Sequence, residues 1–387
     1  MAMRLSRSIV GEAEARAVAR IIEEDGYLGM GAETRRFEEE VAAFLGVAPW
    51  QVVSVNSGTA ALHLAVFSAC QGAALQGAGA PADAPEVLVP SLTFVASFQA
   101  VLAAGCVPVA CDVLLDTGTL DVADAERRVT PRTIAVMPVD YASNPWHLDE
   151  TYEFARRHGL RVVEDAAHAF GCRHHGRKIG SFGDLVCFSF DGIKNITCGE
   201  GGCLVAFDKE SARIAADARL LSVEGDTEKR FSGARSWDPD VKLPGWRYHM
   251  SNIMAAIGRT QLARLESEFI PARRELAKLY GERLSGVPGV ALLRTDPRDF
   301  IVPHIMPVRI LDGRKNAVVD ALQAEGIPTG VHYKPNHLLT LFGGGREHLP
   351  ATEALYAELV TLPLHPGLSA DDVESVCTAL ARALENA

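Results

Sequence analysis

Residues 161–207 read RVVEDAAHAFGCRHHGRKIGSFGDLVCFSFDGIKNITCGEGGCLVAF. The apolar pair Val162-Val163 runs into Glu164-Asp165, and a second run, residues 185–190, runs into Asp191-Gly192-Ile193-Lys194. Both runs are short, rich in Val and Phe, and closed by polar or glycine residues, which is the pattern of buried strands. In an open α/β sheet, ligands gather outside the carboxyl ends of the strands. An aspartate that ends one strand and a lysine that follows the next therefore face one ligand site. Pyridoxal phosphate (PLP) asks for that pair. It needs a lysine for a Schiff base and an acid that keeps the ring nitrogen protonated, so that the ring serves as an electron sink. Asp165 alone is as well explained as a helix cap, and Lys194 alone as a loop lysine; the pairing points to the cofactor.

Working outward, residues 52–55 (VVSV) read as a strand, followed by Asn56-Ser57-Gly58-Thr59 and an Ala/Leu-rich helix. Ser57, Gly58 and Thr59 stand at that helix's N-terminus. Free backbone N–H groups, the positive end of the helix dipole and two hydroxyls there suit a phosphate. After the strand at 86–89 comes PSLTFVAS, in which Phe94 either stacks on a flat ring or fills core. Strands at 107–110 and 133–138 and a helix at 148–158 continue a βαβα alternation, which predicts a mainly parallel sheet covered on both faces.

Toward the N-terminus, helices at 11–24 and 33–45 flank a glycine-punctuated turn whose G-x-G lacks the third glycine of a dinucleotide fingerprint. Residues 71–85 are Gly/Ala/Pro-rich and read as a surface loop. A helix at 209–221 precedes a polar stretch, 224–242, that reads as an exposed loop or hairpin. Helices at 254–266 and 271–284 lead into a smaller α/β unit: a strand at 305–310, a helix at 314–325, residues 330–333, and helices at 352–359 and 370–384. The expected division is a large cofactor-binding domain, 1–245, and a linker helix with a small C-terminal domain, 246–387.

The 387 residues carry 48% hydrophobic and 22% charged side chains and a formal net charge of −11. That balance fits a globular chain with a sizeable core and argues against nucleic acid or an anionic membrane as partner. No apolar run is long enough to span a bilayer, and the N-terminus has no apolar signal segment. Eight cysteines without a C-x-x-C pair predict reduced thiols in a cytoplasmic enzyme.

Eight blocks in order carry a resemblance: GYLGMGAETRRFEEEVAAFLG (26–46), NSGTAALHLA (56–65), VPSLTFVAS (89–97), EDAAHAFG (164–171), GSFGDLVCFSFDGIKN (180–195), GEGG (199–202), YHMSNIMAAIGRTQL (248–262) and GVHY (330–333). Together they resemble the PLP-dependent sugar aminotransferases of the DegT/DnrJ/EryC1/StrS family. The resemblance implies an aspartate aminotransferase (type I PLP) α/β fold and a homodimer with shared active sites. It makes Lys194 the Schiff-base lysine and proton shuttle, and Asp165 the partner of the pyridine nitrogen. His168 would pack on the ring, Ser57, Gly58, Thr59 and Ser189 would surround the phosphate, and Phe94 would stack. Arg247 stands where many relatives have an asparagine that reaches the partner subunit's phosphate. Residues 71–85 and Tyr141-Ala142-Ser143-Asn144 also depart from the family pattern, the latter near the expected sugar pocket.

The implied reaction moves an amino group from L-glutamate to a keto group of a nucleotide-linked keto-deoxy sugar, and Glu200 within GEGG resembles the enzymes that act at C4. Alternatives are a keto-cyclitol aminotransferase of an aminoglycoside pathway and a PLP-binding regulatory protein without turnover. A 3-dehydratase of the same family would replace Lys194 by histidine. His332 and Tyr333 either touch substrate or close a buried strand. His174-His175 is read as a solvated turn and no metal is expected, because no carboxylate or cysteine lies nearby in sequence at ligand spacing. Cys187, Cys198 and Cys203 are read as packing residues.

Overall fold

The computed structural model describes residues 3–70, 84–232 and 240–386. In chain order, helices α1 (Glu12–Arg20) and α2 (Ala32–Leu45) precede strand β1 (Val52–Val55) and α3 (Gly58–Ala69). Then come β2 (Glu86–Pro90), α4 (Val95–Ala103), β3 (Val107–Cys111), α5 (Val122–Arg128), β4 (Thr133–Val136), α6 (Leu148–His158) and β5 (Arg161–Asp165). A two-residue-per-strand hairpin, β6 (Arg173–His174) and β7 (Arg177–Lys178), leads to β8 (Leu185–Ser189), β9 (Gly202–Ala206), α7 (Lys209–Ala218) and α8 (Asp226–Phe231). Helices α9 (Asn252–Arg264) and α10 (Ile270–Leu284) connect to β10 (Val290–Leu292), β11 (Met306–Ile310), α11 (Lys315–Ala324), α12 (Pro350–Glu358), β12 (Leu359–Leu362) and α13 (Ala370–Asn386).

The large sheet has seven strands in the order β1-β9-β8-β5-β4-β2-β3. Pairs β2/β3, β2/β4, β4/β5 and β5/β8 are parallel, while β9 runs antiparallel to both neighbours. The connection from β8 to β9, residues 190–201, contains no helix, and the chain turns back on itself to pair antiparallel. That turn carries Lys194. Helix α3 is apolar on all sides and buried from Ala60 to Ser68, as a helix at the centre of a core must be. It can lie against the sheet because Gly202 has no side chain: a Cβ there would fall 2.7 Å from the Phe188 carbonyl oxygen and from Ser57 backbone atoms.

A second, antiparallel sheet, β10-β11-β12, packs with α10, α11 and α13 around Val308, Leu322, Val360, Val376 and Leu380. Helix α9 instead lies on α1 and α2, where Arg259 bridges Glu40 at 2.6 Å and Thr34 meets Asn252.

Two expectations change. The helix expected at 352–359 stops at Glu358, and Leu359–Leu362, with β-branched Val360 and Thr361 at its centre, pairs with β11 as a strand. The polar stretch 224–242 contains helix α8, held by an Arg230–Asp226 ion pair across one turn. The surface loop expected at 71–85 lies outside the described residues except for Ala84 and Pro85, both buried. Among the described residues, no helix is long and apolar enough to cross a membrane.

Candidate active site

Strands β1, β5 and β8 end at one edge of the large sheet, and β9 enters there through Gly202. At that edge lies a cavity of about 360 Å³. It is lined by Ser57, Gly58, Thr59, Phe94, Asp165, His168, Ser189, Lys194, His332 and Tyr333, all singled out from sequence. Arg247 is the exception. It is exposed and outside the cavity wall, and its backbone carbonyl accepts a hydrogen bond from Asn56 Nδ2.

Asp165 and Lys194 are held by different devices. Asp165 is buried at the end of β5; its Oδ2 accepts the Ser97 hydroxyl at 2.7 Å and its Oδ1 the Ala167 N–H at 3.2 Å. Burial raises its pKa, while Ser97, Ala167 and the charge of Lys194 work against that rise. The Lys194 amine, 3.4 Å from His304 Nε2, is lowered to about 8, chiefly by burial, with Arg273 assisting and Asp165 and Asp191 opposing. Arg273 is itself buried, donates to the carbonyls of Pro303, His304 and Lys194, and so fixes the backbone around the lysine.

The wall beside Lys194 is aromatic. His168 Nε2 meets the Tyr333 hydroxyl at 3.0 Å, and the His168 ring lies 4.5 Å from that of His304. Burial keeps His168 and His304 neutral, both well below the ordinary imidazole pKa, and lowers His332 to about 4. His168 Nδ1 is buried without a hydrogen-bond partner. Tyr141 donates to the His332 carbonyl, and Ser143 links the His168 carbonyl to the His304 N–H. Phe94, 55% exposed, rests against Tyr333 at 5.4 Å.

At the far end is the N-terminus of α3. The Ser57 hydroxyl caps it by accepting the Ala60 N–H at 3.1 Å. A Cβ on Gly58 would fall 2.7 Å from Ser189 Cβ, so glycine alone leaves this corner open. Backbone N–H groups, Thr59 and Ser189 remain for an anion. The donor set fits PLP from end to end: an anion cradle, an aromatic wall, a carboxylate and an amine of lowered pKa.

Sequence reasoning missed His304, Ser97 and Arg273. His304 lies in FIVPHIMPVRI, where nothing local distinguishes it from a buried histidine beside a strand. The absence of nearby carboxylates, on which the solvated-turn reading of His174-His175 rested, is corrected by the fold: Asp149, Asp296 and Asp299 converge on the pair from distant segments.

A buried lysine and carboxylate on one cavity, at the carboxyl edge of a seven-stranded α/β sheet, define the type I fold of PLP enzymes. Comparison with known proteins agrees. Residues 8–381 match the DegT/DnrJ/EryC1/StrS aminotransferase family, and the chain belongs to that family and is a transaminase. It is 36% identical to a dTDP-4-dehydro-2,3,6-trideoxy-D-glucose 4-aminotransferase from Saccharopolyspora spinosa, over 99% of this chain and 97% of that one. The crystal structure of the aminotransferase TlmJ from Streptoalloteichus hindustanus superposes with a TM-score of 0.89 at 31% identity, covering 100% of both chains. Spr1654 from Streptococcus pneumoniae, described in a PLP form, gives a TM-score of 0.88 at 25% identity over 100% of this chain and 99% of that one.

Proposed function

We propose that this enzyme binds PLP and transfers an amino group from L-glutamate to the C4 keto group of a nucleotide-linked keto-deoxy sugar. The observation that carries the reading is the convergence of Lys194, Asp165 and the α3 N-terminus on one cavity. The Saccharopolyspora spinosa relative, whose name specifies a dTDP-linked 4-dehydro sugar, supports the sugar and the position.

When bound, PLP supplies the electron sink. The protein's own residues do the rest. Ser57, Gly58, Thr59 and Ser189 would hold the phosphate, and His168 and Phe94 the ring faces. Asp165, ionised, would keep a proton on the ring nitrogen. Lys194 would take a proton from the carbon bearing the donor's amine and return one in the second half-reaction. An amine titrating near 8 can both accept and release a proton at neutral pH. Arg247, exposed in the single chain, would complete the phosphate site of a partner subunit in a homodimer. Eight cysteines, all free, support a cytoplasmic location.

The test is spectroscopic. The native protein with PLP should develop a visible band that L-glutamate bleaches, and a 4-keto nucleotide sugar should restore it. Lys194→Ala should show neither change. A band that glutamate leaves untouched would remove the donor assignment. Restoration by a keto-cyclitol instead of the nucleotide sugar would reassign the acceptor.

A further inference from the structure

We propose that Asp149, His174 and His175 form a binding site for a divalent transition-metal ion of the zinc class, apart from the cofactor cavity. His174 and His175 lie at the turn of the β6–β7 hairpin, where His175 adopts a left-handed backbone (φ 47°). The two rings stack at 3.9 Å. Asp149, in the first turn of α6, brings its Oδ2 to 3.2 Å from His174 Nε2 and to 3.2 Å from His175 Nδ1. All three donor atoms lie within 4.8 Å of one another. A tetrahedral ion with ligands at about 2.0–2.2 Å separates them by roughly 3.3–3.6 Å, so little movement is needed.

A second observation points to a cation. His174 is only 5% exposed, and among the described residues its Nε2 makes no well-aligned hydrogen bond, its nearest acceptor being Asp149 Oδ2 at 3.2 Å. Its Nδ1 is engaged by Asp299 Oδ1 at 3.0 Å. Both ring nitrogens of His174 therefore lie beside carboxylate oxygens, and the buried Nε2 is placed to share an ion with Asp149. The buried Asp299 also accepts the His175 N–H at 3.0 Å, and Asp296 Oδ2 stands 3.5 Å from His175 Nε2. Each imidazole thus has a carboxylate behind it, on the nitrogen opposite Asp149. Carboxylates in that position orient metal-bound histidines and raise their basicity. Three carboxylates face the cluster against Arg298, which pairs with Asp296, and this leaves a negative surplus suited to a divalent ion. Asp149 is exposed, so water can supply the fourth ligand.

Such an ion would fasten three segments: α6, the hairpin, and residues 296–300. The last of these is tied to the hairpin by reciprocal Arg173–Phe300 backbone hydrogen bonds and continues to His304.

The test uses tag-free full-length protein, stripped with chelator and desalted. Titration calorimetry with zinc chloride should give one ion per chain with micromolar affinity, and zinc should raise the thermal midpoint by mass action. Asp149→Asn and His175→Gln, both at the exposed rim, should each weaken binding by about 10–100-fold. Both should retain native circular dichroism and the glutamate-dependent bleaching of the PLP band. No zinc uptake overturns the proposal and leaves a proton between His174 and Asp149. Uptake that persists unchanged in both variants places the ion elsewhere, the histidines of the cofactor cavity included, and overturns it equally.

Discussion

Lys194 shows how much a single residue owes to its surroundings. An amine in water titrates near 10.4. Burial among the cavity walls brings this one to about 8, against the pull of two aspartates. The sign is that of a cation penalised by desolvation, so the neutral nucleophile is populated from about pH 8 upward. PLP-free protein should therefore take up PLP at a rate that rises with pH through about 8 and then levels, followed by the growth of the visible band. A rate still climbing tenfold per pH unit above about 9 would mean that the amine is not shifted. Asp165 is tuned by the same burial, but two hydrogen bonds and the lysine's charge restrain it.

At the scale of elements, the site depends on how closely α3 approaches the sheet. Gly202 is pinned between Phe188 and Ser57 backbones, and neither can give way as a flexible side chain would. Gly202→Ala should cost about 1–3 kcal/mol, read as a lower denaturant midpoint with an unchanged slope, and should weaken PLP retention. Gly281 is the matched control. It sits inside α10 with nothing within 4 Å of an added Cβ, so Gly281→Ala should stabilise by roughly 0.4–1 kcal/mol. Equal effects from the two changes would contradict the close-approach argument.

The whole molecule raises the question of Arg247, which the family resemblance assigned to the cofactor and which lies outside the cavity of its own chain. If it serves a partner subunit, Arg247→Ala and Lys194→Ala damage opposite members of each shared site. Refolding the two inactive variants together should then restore about a quarter of native activity, since about half the dimers are mixed and each holds one intact site. Simple dilution, with no recovery over the separate variants, would confine Arg247 to its own chain.

Much of this was legible in the chain. Hydrophobic alternation, short Val/Phe runs and turn residues are local, and they located β1, β5, β8, α6 and α13 within a residue or two. The same runs placed Asp165 at the end of one strand and Lys194 in the turn after another, because a strand's terminus is a property of its own sequence. What local pattern could not carry was contact between distant segments. His304 meets Lys194, Ser97 meets Asp165, and Asp149, Asp296 and Asp299 close on His174-His175 only because the sheet order and the docking of the small sheet bring them there. The reversed strand β9 belongs to the same class: pairing partners, unlike strand content, are chosen in three dimensions. The sequence by itself determined which residues could do chemistry and which elements would present them. Only the tertiary structure decided which charges and rings would share a desolvated space, and that burial is what brings the Lys194 amine down to about 8.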